Sequence, residues 1–501
     1  MALRPSHPGP AYDVATVPGP SSSEPLSFTV AASDEGALYL AWDQDEGLRF
    51  TRRAREGADW SAPQTLQGDG VPTLFADGDR VVLFVRGEGL ERRVSEDGGA
   101  TWSEPAYAFG RDAFGRATVS RDPGSRDVVS RDTAASYPGE VRVSGRPSQG
   151  VPYIYLGDRS TLHRGSGGDV YLVYLHQESY VTDGGSTLVE PPHRIYFSHS
   201  DDLGERWTPP VAVADTEGRL GSAPSVVDFH GALVLCWSER YRRGDLLRVA
   251  TSLDGGATWS EPITLNTDAY VLAEQQRSAV LVTAPRLVRS GHDLYLCYGG
   301  RGLQCLEARG VERALGGASV PGQAWSPAFT LTGSTPLAFD FLSAPGAPSP
   351  APAHRPPPSP LSHGRPEPAD APEAPLALWV DQRHQEVEWW GYSFALTLFK
   401  GGNPRWANND LIVARLGEEG SAEERVLTPH LSYTRGSIGA VQAQGRWHVF
   451  WSGKERVDRN GGDGRHRTDS AGVSHPYRMG RTEGGIPYRV FYTSVPLELS
   501  E

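Results

Sequence analysis

Seven short apolar runs, most of them closed by an aromatic residue, recur along the chain: LYLAW (38–42), VVLFV (81–85), VYLVY (170–174), LVLCW (233–237), LYLCY (294–298), LALW (376–379) and WHVFW (447–451). Each has the length of a strand, is rich in β-branched or aromatic residues and follows a Gly or Asp turn. One unit reads in full as four strands: APSVV (223–227), LVLCW, LLRVATS (246–252) and SEPITL (260–265). Equivalent units begin near residues 27, 71, 160, 223, 281, 336 and 436. The last ends at its third strand, RVFYTSV (489–495), and AYDVATV (11–17) is the segment expected to supply the missing outer strand.

A four-stranded meander cannot bury both of its faces alone. Packing successive meanders around an axis buries them and leaves only short, protected edges. The pattern therefore predicts an all-β fold, a β-propeller of four-stranded antiparallel blades, with seven blades preferred and six as the alternative. The ring is one domain over residues 1–501. Two insertions interrupt it: a polar loop over 106–150 with Arg-Asp dipeptides at Arg111, Arg121, Arg126 and Arg131, and a proline-rich stretch, 344–375, read as a disordered loop. Long connections follow the second strand of units three (176–193), six (381–409) and seven (452–487), on the face where propellers bind ligands.

Three units carry Ser-x-Asp-x-Gly-x-x-Trp: Ser95, Asp97, Gly99 and Trp102; Ser200, Asp202, Gly204 and Trp207; Ser252, Asp254, Gly256 and Trp259. Glycine permits the positive φ of a tight turn, Ser and Asp bond back to turn amides, and Trp covers the hairpin's apolar flank. Segments around Trp60 and Trp325 keep the Gly and the Trp without the Ser and Asp. These segments resemble the Asp-boxes, or bacterial neuraminidase repeats, of the sialidase superfamily. The resemblance implies a sialidase-like propeller in which the boxes are structural and lie away from the ligand.

Composition narrows the partners. A net charge of −13 disfavours nucleic acid and anionic membranes, and no apolar run approaches a membrane span. The first 25 residues have neither the basic nor the apolar region of a secretory signal, and only Cys236, Cys297 and Cys305 are present. A cytoplasmic monomer without a disulfide framework is the expectation, with Cys236 and Cys297 as small buried apolar side chains. Lys400 and Lys454 are the only lysines, so an arginine by itself says little about chemistry.

If the resemblance extends to activity, it implies retaining hydrolysis of an acidic sugar with a tyrosine nucleophile. Arginines clamp the sugar carboxylate through paired charge-assisted bonds. A glutamate takes the tyrosine proton, and an aspartic acid protonates the leaving oxygen. AEQQRSAVLVTAPRLVRSGHDLYLCYGGRG (273–302) is similar to the family's glutamate- and arginine-bearing strands and nominates Glu274, Arg277 and Arg301. LSYTRGSIGAVQAQGRWHVFW (431–451) nominates Tyr433 with Arg435, and WDQDEG nominates Asp45, with Asp43 nearby, as the acid. WSERYRRGDLLRVATSLDGGATW (237–259) resembles an acid-bearing blade and adds Glu239, Arg240 and Asp245.

The chain departs from the family in two respects. It has no Arg-Ile-Pro motif, Arg4 being the only arginine before Arg49, and it has seven units where sialidases have six blades. The alternative is a non-catalytic propeller that binds a glycan or a protein. Either way the expected partner is a carbohydrate or glycoconjugate. No cofactor and no metal is expected; Asp458, Asn460 and Asp463 form only part of a calcium-loop pattern.

Overall fold

The structure is a computed structural model. It describes residues 14–496 apart from the segments 110–150, 267–281, 309–324, 343–375, 416–423, 455–464 and 478–486 and shorter stretches of at most five residues. It is all-β, with seven blades closed into a propeller. Blade 1 comprises Phe28–Ala32, Leu38–Gln44, Gly47–Arg53 and Gln64–Leu66; blade 2 comprises Val71–Asp77, Arg80–Arg86, Leu90–Ser95 and Ala106–Phe109. In blade 3, Val151–Tyr155 and Thr161–Arg164 both pair with Val170–Val181, followed by His193–Ser200 and Val211–Thr216. Blade 4 is built on Ser225–Phe229, Ala232–Tyr241, Gly244–Ser252 and Ile263–Thr264; blade 5 on Thr283–Ser290, Asp293–Gly300, Gly302–Ala308 and Phe329–Thr332. Blade 6 contains Ala338–Leu342, Leu376–Phe394, Thr397–Arg415 and Glu424–Leu431.

Blade 7 contains Thr434–Ala443, Arg446–Lys454 and Tyr488–Pro496, and its outer strand comes from the other end of the chain. Ala15 and Thr16 pair antiparallel with Tyr492 and Phe491. Val17 N–H donates to the Val490 carbonyl at 2.9 Å, and Val17 is 1% exposed.

The apolar runs are the second strands, and their alternation explains the ring. In blade 1, Leu38, Leu40 and Trp42 pack toward blade 7 while Tyr39 and Ala41 pack toward blade 2. In blade 2, Val81, Leu83 and Val85 meet blade 1, and Val82 and Phe84 meet blade 3. Side chains along a strand point alternately to its two faces, so a run apolar at every position demands a neighbour on both. The same rule yields one apolar core at every seam, the last joining blades 7 and 1.

Innermost strands present an unpaired edge, which neighbouring blades cap in part. Thr29 Oγ1 of blade 1 accepts the Leu74 N–H of blade 2 at 3.2 Å, and Ser225 Oγ of blade 4 accepts the Leu287 N–H of blade 5 at 3.1 Å. A buried amide left without an acceptor would cost about 1–3 kcal/mol.

Three expectations change. Residues 106–109, read as the start of the inserted loop, form the outer strand of blade 2, because Leu90–Ser95 would otherwise leave its edge open. Residues 381–394 and 397–409, read as a long connection, continue two 19-residue strands paired as far as Phe394 and Thr397, and residues 176–181, read likewise, continue the strand Val170–Val181. Cys297 is not a free thiol: it lies directly across from Cys305, and the two form a disulfide inside the blade 5–blade 6 core. Only Cys236 is free among the described cysteines; burial pushes its thiol up to about 12. The proline-rich stretch 344–375 and the remainder of the polar loop, 110–150, lie outside the described residues.

Candidate functional site

A meander has two ends. Connections from strand 1 to 2 and from 3 to 4 form one rim of the ring; connections from 2 to 3 and from 4 to the next blade form the other. The Ser-x-Asp-x-Gly-x-x-Trp segments occupy the first rim, each between a third and a fourth strand.

Their geometry repeats closely. Ser95 Oγ donates to Asp97 Oδ1 at 2.7 Å and accepts the Gly99 N–H at 2.7 Å; Ser200 and Ser252 do the same with Asp202 and Gly204 and with Asp254 and Gly256. The carboxylates then take the amide four residues on: Asp97 from Thr101, Asp202 from Arg206, Asp254 from Thr258, each at 2.8 Å. The Thr258 hydroxyl and amide, with Ser252, bring the Asp254 carboxyl down to about 2, and Thr101 lowers Asp97 likewise. Asp97 and Asp254 each accept three hydrogen bonds within the turn, and no group of three or more His, Cys, Asp or Glu suited to a metal occurs among the described residues.

The tryptophans also reach across a seam, and Trp207 keeps a hold on its own turn, its Nε1–H donating to the Gly204 carbonyl at 3.1 Å. Trp102 meets Phe50 of blade 1 edge-on at 4.9 Å, Trp207 meets Phe84 of blade 2 at 6.4 Å, and Trp259 meets Phe197 of blade 3 at 5.3 Å. Gly99, Gly204 and Gly256 lie against the same three rings, where an added Cβ would collide.

One element of this turn went unread in the sequence. The residue after each Trp, in blades 1 to 5, is Ser61, Ser103, Thr208, Ser260 or Ser326. Its N–H bonds back to the third strand at 2.7–2.8 Å, and its hydroxyl accepts an N–H of that strand at 2.9–3.1 Å. The signal was the recurrent Trp-Ser/Thr dipeptide, which persists where the Ser and Asp of the box are lost.

The opposite rim holds the nominated residues' flanking strands. Asp45 lies between the ends of Leu38–Gln44 and Gly47–Arg53, Arg301 between Asp293–Gly300 and Gly302–Ala308, and Tyr433 between Glu424–Leu431 and Thr434–Ala443. Glu274 and Arg277 fall in the connection from blade 4 to blade 5. Asp45, Glu274, Arg277, Arg301 and Tyr433 are outside the described residues, as are Asp458, Asn460 and Asp463, and Arg435 is described by its backbone alone.

Blade 4 places a cluster of described polar groups at this rim. Two residues past the run-ending Trp237, Glu239 is 2% exposed. It accepts Trp237 Nε1–H at 2.8 Å and the Tyr241 hydroxyl at 2.6 Å, and its carboxylate pairs with Arg248 Nε at 3.6 Å. In blade 1, Gln44 takes the Trp42 indole in the same register at 2.9 Å; a glutamate there adds a buried charge that must be compensated. Burial, reinforced by the bond to Glu239, pushes the Tyr241 phenol up to about 12. On the sheet's other face, Arg240 Nε lies 3.2 Å from Asp245 Oδ1, with the Arg240 side chain 55% exposed and that of Asp245 at 1%.

The described residues thus bring together Glu239, Tyr241 and Arg248 at one seam, and Arg240 and Asp245 at the next. Reading the residues separately missed the tyrosine–glutamate couple; the i, i+2 spacing of Trp237, Glu239 and Tyr241 on a strand, which puts all three on one face, was the available signal.

No protein-family model matches the chain, and no curated protein does. Among solved structures, a variant of the NanB sialidase from Streptococcus pneumoniae aligns at 10% identity over 92% of this chain and 84% of its own, with a TM-score of 0.39. The polysaccharide lyase Uly1 aligns at 9% over 93% and 90%, with a TM-score of 0.44, and the phage phi92 endosialidase at 9% over 98% and 69%, with a TM-score of 0.41. In fold the chain is a seven-bladed β-propeller.

Proposed function

We propose that the protein acts on an acidic carbohydrate as a sialidase-type glycoside hydrolase, binding it at the rim opposite the Asp-box turns. What supports this reading is that the strand ends flanking Asp45, Arg240, Glu274, Arg277, Arg301, Tyr433 and Arg435 all belong to that rim. In the proposed reaction Glu274 takes the phenol proton of Tyr433 as its oxygen attacks the anomeric carbon. Asp45 gives a proton to the departing oxygen, and water then releases the sugar. Arg277, Arg301 and Arg435 clamp the sugar carboxylate, with Arg240 as a further binding group.

Release of a fluorogenic sialoside tests this. Tyr433→Phe is expected to lower turnover by about 10²–10⁴-fold. The Tyr241–Glu239 couple makes Tyr241→Phe the second variant: loss of turnover there, with Tyr433→Phe active, moves the nucleophile to blade 4. The absent Arg-Ile-Pro motif and the seventh blade favour a second reading, a glycan- or protein-binding propeller. Retention on an acidic-glycan array without turnover of any acidic or neutral glycoside would select it.

A further inference from the structure

Asp245 holds three separate parts of the nominated rim. Its Oδ1 pairs with Arg240 Nε at 3.2 Å, its Oδ2 accepts the Val282 N–H at 3.0 Å, and its main-chain carbonyl accepts Asn266 Nδ2–H at 2.9 Å. Asn266 Oδ1 in turn accepts the Leu247 N–H at 2.8 Å. Asp245 is 1% exposed and Asn266 8%. Asn266 and Val282 are the last and first described residues on either side of segment 267–281, the one that carries Glu274 and Arg277. Asn266, after the fourth strand of blade 4, and Val282, before the first strand of blade 5, are therefore both fastened to a single residue of blade 4.

A chain that leaves a sheet and returns 15 residues later must fix the separation of its ends before anything it carries has a defined place. Ordinary packing would hold such ends with apolar side chains; a buried carboxylate and a buried amide do so here. Both oxygens of Asp245 are committed, one to a backbone amide and one to an exposed arginine, which offsets the cost of burying the charge.

We infer that Asp245, with Asn266, is a positioning residue that sets Arg240 and the base of the 267–281 connection relative to one another. The consequence for catalysis rests on the activity proposed above; the anchoring itself does not.

Hydrogen–deuterium exchange on the intact protein tests the anchoring. Asp245→Ala and Asn266→Ala are each expected to speed exchange of the Leu247 and Val282 amides by about tenfold or more while the strands of blade 2 stay protected. Asp245→Asn keeps an acceptor for the Val282 N–H but removes the charge beneath Arg240. It is expected to leave exchange within about threefold of the parent and to raise KM for the sialoside about tenfold, as Arg240→Gln does, with kcat held. Unchanged exchange at Leu247 and Val282 in both alanine variants would overturn the inference. Failure of the parent protein to turn over any sialoside removes the proposed activity instead, and leaves the exchange result to decide Asp245.

Discussion

At the scale of the residue, the Asp-box turns combine backbone conformation with close packing. Gly256 has a φ of +93°, and an added Cβ there would run into the Phe197 ring. Gly256→Ala is expected to cost about 3 kcal/mol, through strain at positive φ and overpacking. Ser252→Ala strands the buried Gly256 N–H and is expected to cost about 1–3 kcal/mol. Chemical denaturation of both variants checks the pair, and an effect under about 0.5 kcal/mol in each would contradict the turn's role.

His448 adds a pH dependence at the blade 7–blade 1 seam. It is 2% exposed, its Nδ1 lies 2.8 Å from the Tyr492 hydroxyl, and Arg53 reaches that hydroxyl from blade 1 at 3.0 Å. Burial lowers the His448 pKa, so the folded state resists a proton that the unfolded chain accepts below about pH 6.5. With more protons bound in the unfolded state, stability rises with pH. The thermal midpoint is expected to fall as pH drops from 7.5 to 5.5, and His448→Gln is expected to flatten that slope. His163, also lowered by burial, acts in the same direction.

At the scale of the element, the second strands decide the arrangement because both of their faces are apolar. The sequence showed these runs plainly, and their order along the chain is the order of the blades. The disulfide was less legible. Three cysteines in a long chain suggest free thiols; only the register of the blade 5 hairpin, with Cys297 facing Cys305, reveals the pair. Closing so short a loop is expected to stabilise by about 2–3 kcal/mol. Reductant should therefore lower the thermal midpoint of the parent protein and leave that of Cys297→Ala unmoved.

At the scale of the molecule, closure of the ring depends on residues far apart in the chain. The pairing of Ala15 and Thr16 with Tyr492 and Phe491 covers the outer edge of blade 7, and Ser22 N–H donates to the Tyr488 carbonyl at 3.1 Å. Removing residues 1–24 deletes the buried Val17, worth about 2 kcal/mol, and exposes the edge of Tyr488–Pro496. The truncated protein is expected to melt earlier and to associate on size-exclusion chromatography. A monomer with the parent's midpoint would show that the strand is dispensable.

The sequence by itself determined the blade unit, its seven repetitions and the turns that carry Ser, Asp, Gly and Trp. All of these are local: strand periodicity and turn chemistry act over a few residues and leave their mark in contiguous letters. Tertiary structure alone decided what crosses a seam. It turned each tryptophan onto the preceding blade and tied the Val282 N–H of blade 5 to the Asp245 carboxylate of blade 4. Those contacts depend on how one sheet is packed and registered against the next, and no short stretch of residues encodes that relation.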